Sequence, residues 1–413
     1  MKHFVRSVAI GAAMVAATFS AQAQVKIAYV DPLSGLQAAV GEHGLKQFQF
    51  LVETLNAKGG VLGGQKLEVV GFDNKGTPQE SLVQVQKAID SGIRFITQGN
   101  GSGAAIAISD FITKYNERNP GKEVLFFNYA AVDPSLTNEK CSYWHYRWDA
   151  NSDIKMAALT NFMKGKSDIK KVYVIGQDYA FGQSVRKAAR EMLGAKRPDI
   201  QIVGDELHPL AKVTDFSPYI AKIKASGADS VITGNWGSDF ALLLKASADA
   251  GLQVNWYTYY AGGAGGPTAV KQTGLDHRVF AITEWHSNVP SAEMDVFEEA
   301  FLKKYGGPNG QRWWYLRVKN QMEMFASAIN QAKSAEPKAV ATALNSMKFK
   351  NVLGAEIFMR PTDHSIFQDM YIASFGSGTK EDEEKTGWGW KTVGTVQAAD
   401  TVIPTTCQMK APT

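Results

Sequence analysis

Short apolar runs alternate with amphipathic stretches along most of this chain, and this alternation constrains the fold more than any other feature. Residues 25–30 form an apolar run that ends at an aspartate–proline pair, which is typical of a buried strand. Residues 45–55 then place apolar side chains on one helical face, and a pair of glycines ends that face. Strands that alternate with helices predict mostly parallel sheets with right-handed crossovers, so we expect an α/β fold.

The alternation occurs in two similar halves. Residues 171–207 repeat the strand–loop–helix–strand order with which the chain opens. The chain has 413 residues, which is too long for one small core and suits two lobes. We expect each lobe to have a sheet flanked by helices. In the last third we predict helices over residues 294–305, 314–332 and 337–347, and a charged loop over residues 376–386.

The first 23 residues have the features of a cleavable secretory signal peptide. They carry two basic residues, then an apolar run, then small residues that predict cleavage near Ala23. The apolar run is too short to span a bilayer, and no later run does so, so we expect an exported protein without direct membrane insertion. Removing this segment leaves 42 basic and 40 acidic residues, or +2, which gives no electrostatic case for nucleic acid.

The chain has two cysteines, Cys141 and Cys407. In an oxidising compartment a single pair of cysteines often forms a disulfide, and the alternative is two separate free thiols. A bridge would pin the C-terminal tail to the first half of the chain and would stabilise the fold by a few kcal/mol, about 2–4. We predict the bridge.

One glycine-rich segment has the composition of an anion-binding loop. In open parallel sheets, ligands bind beyond the carboxyl ends of the strands. Residues 98–103 follow a predicted strand, precede a predicted helix and contain Asn100 and Ser102. Glycines let backbone N–H groups approach a ligand, and a helix N-terminus favours an anion such as a carboxylate. The alternative is an ordinary turn with a serine cap, and the glycine spacing does not match a dinucleotide-binding fingerprint.

Aromatic and small side chains follow the other predicted strands. Ala130 and Val132 would let a ligand contact the backbone, whereas Tyr179, Phe181 and Trp236 would supply aromatic surface. Single aromatic residues at such positions usually belong to the core. Several at neighbouring strand ends favour a cleft that stacks on a ligand.

Patterns that indicate catalysis or cofactor binding do not occur in the sequence. The seven histidines include no HExxH pair, no Gly-x-Ser-x-Gly elbow is found, and the cysteines lack CxxC spacing. No phosphate-binding P-loop is found either. We therefore predict a binding protein that is not an enzyme, with no metal and no cofactor.

The chain resembles the type I periplasmic substrate-binding proteins of the branched-chain amino acid class. The segments that carry the resemblance are KIAYVDPLSG, LNAKGGVLGGQKLEVVGFDNKGTPQESLVQVQKAI, AAVDPSLT and VIGQDYAFGQS. The resemblance covers nearly all of the mature chain. It implies two lobes joined by a three-crossover hinge, a small-molecule ligand closed between them, a periplasmic location and delivery to an ABC importer permease. We expect a monomer.

The resemblance also predicts how the chain divides between the lobes. Residues 24–149 and 284–369 would form lobe 1, and residues 150–283 and 370–390 would form lobe 2. Residues 391–413 would form a C-terminal tail that returns to lobe 1.

Several ligand positions follow from the resemblance. Ser102 matches the serine that holds the ligand carboxylate, and Ala130 matches a backbone contributor. Phe181 and Trp236 match aromatic residues of the second lobe, and Trp314 matches a late aromatic residue near the hinge.

Two positions depart from the family's pattern. Val132 stands where a threonine helps to bind the ligand's amino group, and Ala261 stands where an acidic residue pairs with the ammonium. A buried ammonium without an anion is costly, so these departures predict a carboxylate ligand without an α-amino group. Tyr179 and Trp148 would suit a flat, aromatic body. Two alternatives stay open, which are an amino acid held by Asp178, Asp239 or Glu284, and a sensory receptor with the same fold.

Overall fold

The computed structural model describes residues 24–412, so the predicted signal peptide lies outside the described residues. The first sheet has five strands, which are β1 (Val25–Asp31), β2 (Leu67–Asp73), β3 (Phe95–Gln98), β4 (Leu125–Asn128) and β5 (His145–Arg147). All neighbouring strands are parallel, in the order β2-β1-β3-β4-β5. Every residue of β3 and β4 is buried, as expected for a parallel sheet covered on both faces.

The second sheet begins with five parallel strands, which are β6 (Lys171–Gln177), β7 (Gln201–His208), β8 (Ser230–Thr233), β9 (Asn255–Thr258) and β10 (Val279–Thr283). A small antiparallel sheet follows, with β11 (Lys348–Lys350), β12 (Glu356–Met359) and β13 (Ile366–Phe367). Two antiparallel strands, β14 (Met370–Gly376) and β15 (Gly389–Val396), then complete the second sheet. Its order is β15-β14-β10-β9-β8-β6-β7.

Eleven α-helices within residues 24–412 cover these sheets. They are α1 (Ala38–Ala57), α2 (Pro78–Asp90), α3 (Ser102–Arg118), α4 (Ser152–Lys164), α5 (Ala180–Lys196), α6 (Ser217–Ser226), α7 (Gly237–Asp249), α8 (Gly266–Thr273), α9 (Ala292–Tyr305), α10 (Leu316–Ala332) and α11 (Pro337–Leu344). The predicted α/β fold, with mostly parallel sheets flanked by helices, is confirmed. None of the helices in residues 24–412 is both long enough and apolar enough to cross a bilayer.

Local sequence signals set several helix boundaries. The side chain of Thr77 accepts a hydrogen bond from the backbone N–H of Glu80 at 3.2 Å, and Pro78 occupies the first position of α2. Proline suits this position because it has no N–H to leave unpaired, and Thr77 satisfies one of the free N–H groups. Asn151 caps α4 in the same way, through the backbone N–H of Ile154 at 2.8 Å.

The chain passes between the two sheets three times, at residues 148–151, 284–291 and 368–369. We call the first sheet with its helices the first lobe, and the second sheet with its helices the second lobe. Helices α9 and α10 pack against α1 and so return the chain to the first lobe. The exact lobe boundaries stay a prediction, and β15 belongs to the second sheet up to Val396 although the predicted tail begins at residue 391.

A disulfide joins Cys141 to Cys407, as the sequence predicts. The two Cα atoms lie 5.7 Å apart and 266 residues separate them in the chain. Beside the bridge, the Thr405 hydroxyl donates to the carbonyl of Thr137 at 2.5 Å. The C-terminal tail is thus fixed to the first lobe by a covalent bond and by local hydrogen bonds.

Candidate functional site

A cavity lies between the two lobes and holds about 420 Å³ of space not filled by protein atoms, part of which is open to solvent. Seven of the predicted ligand residues line it, and they are Asn100, Ser102, Ala130, Val132, Tyr179, Phe181 and Trp236. They come from both lobes and follow the carboxyl ends of parallel strands, where ligands bind in sheets of this kind.

The loop between β3 and α3 forms one wall. Gly101 has φ +99°, a value that favours glycine, and α3 begins at the next residue, Ser102. The Ser102 hydroxyl oxygen accepts a hydrogen bond from the backbone N–H of Asp133 at 3.2 Å, which leaves its proton free to be donated. The helix N-terminus and this hydroxyl both suit an anionic group.

Aromatic rings form much of the opposite wall. Tyr179 and Phe181 lie with their ring centroids 6.1 Å apart, and the indole N–H of Trp236 donates to the Tyr179 hydroxyl at 2.8 Å. Two further tyrosines that the sequence analysis did not select, Tyr260 and Tyr315, also line the cavity. The wall therefore offers flat apolar surface with hydroxyl groups at its edges.

Three predicted ligand residues do not line the cavity. Trp148 is fully buried and packs edge-on against Phe127, with ring centroids 5.3 Å apart. Trp314 packs against Trp390 of β15 at 5.4 Å, and Ala261 is fully buried behind the cavity wall. The structure thus places these three side chains in the packing around the site.

Arg317, near the start of α10, is a buried cation on the cavity wall that the sequence analysis missed. Its Nη1 donates to both carboxylate oxygens of Glu284, at 2.7 and 2.9 Å, and its Nε lies 3.4 Å from Oδ2 of Asp149. Its Nη2 has no hydrogen-bond partner among the described residues, although the side chain is only 1% exposed. A buried donor without a partner is costly, so this atom is suited to meet an acceptor on a ligand.

The charges around Arg317 balance. Lys155 lies 2.8 Å from Oδ1 of Asp149, so two cations and two carboxylates form one fully buried group of four, which we call the buried ion cluster (Asp149, Lys155, Glu284, Arg317). Burial by itself would lower the pKa of Arg317, but attraction by Asp149 and Glu284 outweighs it and raises that pKa. Arg317 therefore stays a cation in the cavity wall.

Tyr260, in the second lobe, connects the buried ion cluster to the backbone of the first lobe at Ala130. Its hydroxyl lies 3.0 Å from Oδ2 of Asp149 and 3.3 Å from the carbonyl oxygen of Ala130. It thus occupies space beside the backbone of Ala130, which the sequence analysis assigned to the ligand.

The three acidic residues considered for an ammonium group do not line the cavity. Asp178 is exposed and accepts from Gln183, and Asp239 accepts from the backbone N–H of Ala211 at 2.8 Å. Glu284 is paired with Arg317. Nor do three histidine, cysteine, aspartate or glutamate side chains within residues 24–412 come together in a way that could hold a metal ion.

Comparisons with known proteins agree with this architecture. A family model described as periplasmic binding protein matches residues 24–380. The Leu/Ile/Val-binding protein homolog 4 of Brucella abortus (strain 2308) is 30% identical over an alignment that is 426 positions long with its gaps and spans 100% of this chain and 99% of that protein. The chain belongs to the type I periplasmic binding proteins of the branched-chain amino acid family, whose members are substrate-binding proteins and not enzymes.

Solved structures share the fold. The closed conformation of a leucine-, isoleucine-, valine-, threonine- and alanine-binding protein from Brucella ovis has a TM-score of 0.82 and 28% identity, with 94% of this chain and all of that chain covered. A solute-binding protein of an ABC transporter from R. palustris, solved with 4-hydroxybenzoate, has a TM-score of 0.75 and 21% identity, with 91% and 97% of the two chains covered. The family implies a periplasmic protein of the ABC transporter type.

Proposed function

We propose that the protein is the solute receptor of an ABC importer, and that its ligand is a small carboxylic acid with a flat, aromatic body and no α-amino group. The observation that carries this proposal is the unpartnered Nη2 of Arg317, a residue that lines the cavity. Arg317 is the charged side chain that lines the cavity among the described residues, and it is a cation. A ligand anion would supply the acceptor that this buried donor lacks.

The balance of donors and acceptors supports an acid over an amine. The donors around the cavity include Arg317, the hydroxyl of Ser102 and the N-terminus of α3. The carboxylates nearby are paired with cations or with N–H groups, and Tyr260 occupies space beside the Ala130 carbonyl. An ammonium group would lie near Arg317 without a free carboxylate, which is costly in a buried site.

The shape of the cavity supports a flat body. Tyr179, Phe181, Trp236, Tyr260 and Tyr315 surround the space, and rings of this kind stack on or pack edge-on against an aromatic ligand. The same rings would also bury the carbon atoms of an aliphatic ligand. The structure of the R. palustris relative contains 4-hydroxybenzoate, which is an example of an aromatic acid held by the same fold.

The mechanism that suits this geometry is hinge closure around the ligand. Each lobe contributes one wall, so the complete site exists only when the lobes meet. Across the cavity, the Gln37 side chain of the first lobe accepts from the backbone N–H of Ser238 in the second lobe at 3.2 Å. The closed form would be the one that an importer permease recognises.

A second candidate is an amino-acid receptor. It is favoured by the Brucella ovis protein, which is named for binding leucine, isoleucine, valine, threonine and alanine and is 28% identical to this chain. In that case the ligand's ammonium group would lie in a cavity whose charged lining side chain, among the described residues, is the cation Arg317 and not a carboxylate. Binding of leucine with affinity equal to that of the aromatic acids would favour this candidate.

The experiment that tests the proposal is a thermal-shift screen, followed by calorimetry on the mature protein. The panel contains benzoate, 4-hydroxybenzoate, phenylpyruvate, phenylalanine and leucine. A ligand stabilises the fold by about RT ln(1 + [L]/Kd), so binders raise the melting temperature. We expect the acids to do so and the amino acids not to, and the opposite order would refute the proposal.

An arginine substitution separates the ligand contact from general destabilisation. R317Q should weaken acid binding about 10- to 150-fold, which corresponds to about 1.5–3 kcal/mol for a hydrogen bond to a charged group. R197Q is the matched control because Arg197 is also a buried arginine paired with a carboxylate, Asp199, but it lies away from the cavity. Equal affinity losses in the two variants would remove Arg317 from the site.

A further inference from the structure

Asp31, the last residue of β1, lies directly behind the glycine-rich loop of the cavity. Its carboxylate accepts hydrogen bonds from the backbone N–H of Asn100 at 2.8 Å and of Gly99 at 3.2 Å. It also accepts from the hydroxyl of Tyr129 at 2.7 Å. Asp31 is completely buried, yet it does not line the cavity.

The same network fixes the side chain of Asn100. The hydroxyl of Tyr129 accepts from Nδ2 of Asn100 at 2.8 Å and lies 3.0 Å from the hydroxyl of Tyr29. Tyr29 in turn donates to the carbonyl of Gly41 in α1 at 2.8 Å. The carboxylate of Asp31 therefore stands at the centre of contacts that join β1, α1 and the loop after β3.

This carboxylate is buried among dipoles and without a salt bridge among the described residues. Burial raises the pKa of Asp31 to about 7, although hydrogen bonds from Tyr129, Asn100 and Gly99 act in the opposite direction. A buried carboxylate is costly unless donors surround it. A carboxylate accepts on both oxygens, whereas an amide side chain has only one oxygen that can accept.

We propose that Asp31 is a positioning residue of the ligand site, which holds the N–H groups of Gly99 and Asn100 inward so that the loop presents the start of α3 to a ligand anion. This rests on the proposed function, because it gives the loop a role in binding. Since Gly99 and Asn100 donate to Asp31, the N–H groups left for a ligand are those at the N-terminus of α3, beside the Ser102 hydroxyl.

Asp73 offers a matched control. It ends β2, pairs with Asp31 in the sheet register, and its carboxylate likewise accepts backbone N–H groups, from Leu33 and Lys75, each at 2.9 Å. It is only partly buried and has no hydrogen bond to the loop after β3. A general effect of losing a strand-end carboxylate would appear in D73N as well as in D31N.

The test is hydrogen exchange of the ligand-free protein, read by mass spectrometry on peptides that cover residues 96–103. In D31A we expect the N–H groups of Gly99 and Asn100 to exchange about tenfold faster, and in D31N less so, because the amide keeps one acceptor oxygen. D73N should leave these peptides unchanged. If D31A does not fold, the comparison of D31N with D73N still tests whether Asp31 holds the loop.

Two results would overturn the proposal. One is exchange at residues 96–103 that stays within about twofold of the wild type in the folded Asp31 variants. The other is faster exchange spread evenly over all peptides of the first lobe. A parallel titration with 4-hydroxybenzoate should show weaker binding to D31N than to D73N. If the wild type binds none of the acids, the proposed function fails, whereas hydrogen exchange still decides the role of Asp31.

Discussion

Gly237, the first residue of α7, lies on the cavity wall of the second lobe and close to the first lobe. A Cβ atom at this position would lie 1.9 Å from Oε1 of Gln37, which belongs to the first lobe. The same oxygen accepts the hydrogen bond from the backbone N–H of Ser238. We therefore predict that G237A impedes closure of the lobes more than it disturbs the second lobe itself.

The magnitude follows from two separate costs. Gly237 has φ +58°, so alanine pays a backbone cost of about 1–2 kcal/mol in both the open and closed forms, and this lowers thermal stability. Closure costs more in addition, because Oε1 of Gln37 would have to retreat by about 1.5 Å to reach an ordinary contact distance. Retreat breaks the bond to Ser238, which costs about 1 kcal/mol and weakens ligand affinity about fivefold.

Calorimetry on a double-mutant cycle measures the closure cost alone. Q37A removes both the clash and the hydrogen bond, so adding G237A to Q37A should change affinity by less than about twofold. G251A is the control for backbone cost, because Gly251 has φ +60° with nothing within 4 Å of an added Cβ. It should lower the melting temperature and leave affinity unchanged. If G237A weakens binding equally with and without Q37A, the proposed clash across the cavity is wrong.

Three further predictions concern Ser102 at the start of α3, the disulfide, and stability at acid pH. S102A should weaken binding of the carboxylate ligand by about 1–3 kcal/mol in calorimetry, and unchanged affinity would remove Ser102 from the site. C141S/C407S should lower the free energy of unfolding by about 2–5 kcal/mol in chemical denaturation, with the same loss when the wild type is reduced. Burial lowers the pKa of His286 to about 3, so the unfolded chain takes up a proton below pH 6.5 that the folded protein cannot. At pH 5 this costs about 2 kcal/mol of stability, and H286Q should lose less stability than the wild type between pH 7 and 5.

The parallel part of the fold was accessible from the sequence because each strand and helix carries its own signal. Residues 25–30 are apolar apart from Lys26, and the threonine–proline start of α2 sets its boundary locally. The strands β5 and β13 have three and two residues, and their pairing depends on partners elsewhere in the chain. β15 is similarly hard to predict, since six of its eight residues are partly or fully exposed and its place in the sheet depends on pairing with β14. Short strands whose partners are remote offer little local pattern.

The site was partly accessible for the same reason. Loops after parallel strands meet at one edge of a sheet, so Ser102, Phe181 and Trp236 could be selected from strand order. Arg317 could not, because it lies in the first turn of a helix, where an arginine usually faces solvent. The signal that could have found it is the uninterrupted aromatic run just before it, which buries the start of α10. Trp314 belongs to that run but packs against Trp390.

The two carboxylates that hold Arg317 lie on the first two passages between the lobes, at Asp149 and Glu284. Without this arginine, the buried ion cluster would keep both carboxylates and Lys155, and its formal charge would change from zero to −1. Loss of this one side chain would therefore make the cavity wall attract cations instead of anions. The same loss would remove a contact that the first two passages between the lobes share, so the charge of the site and the link between these passages depend on one residue.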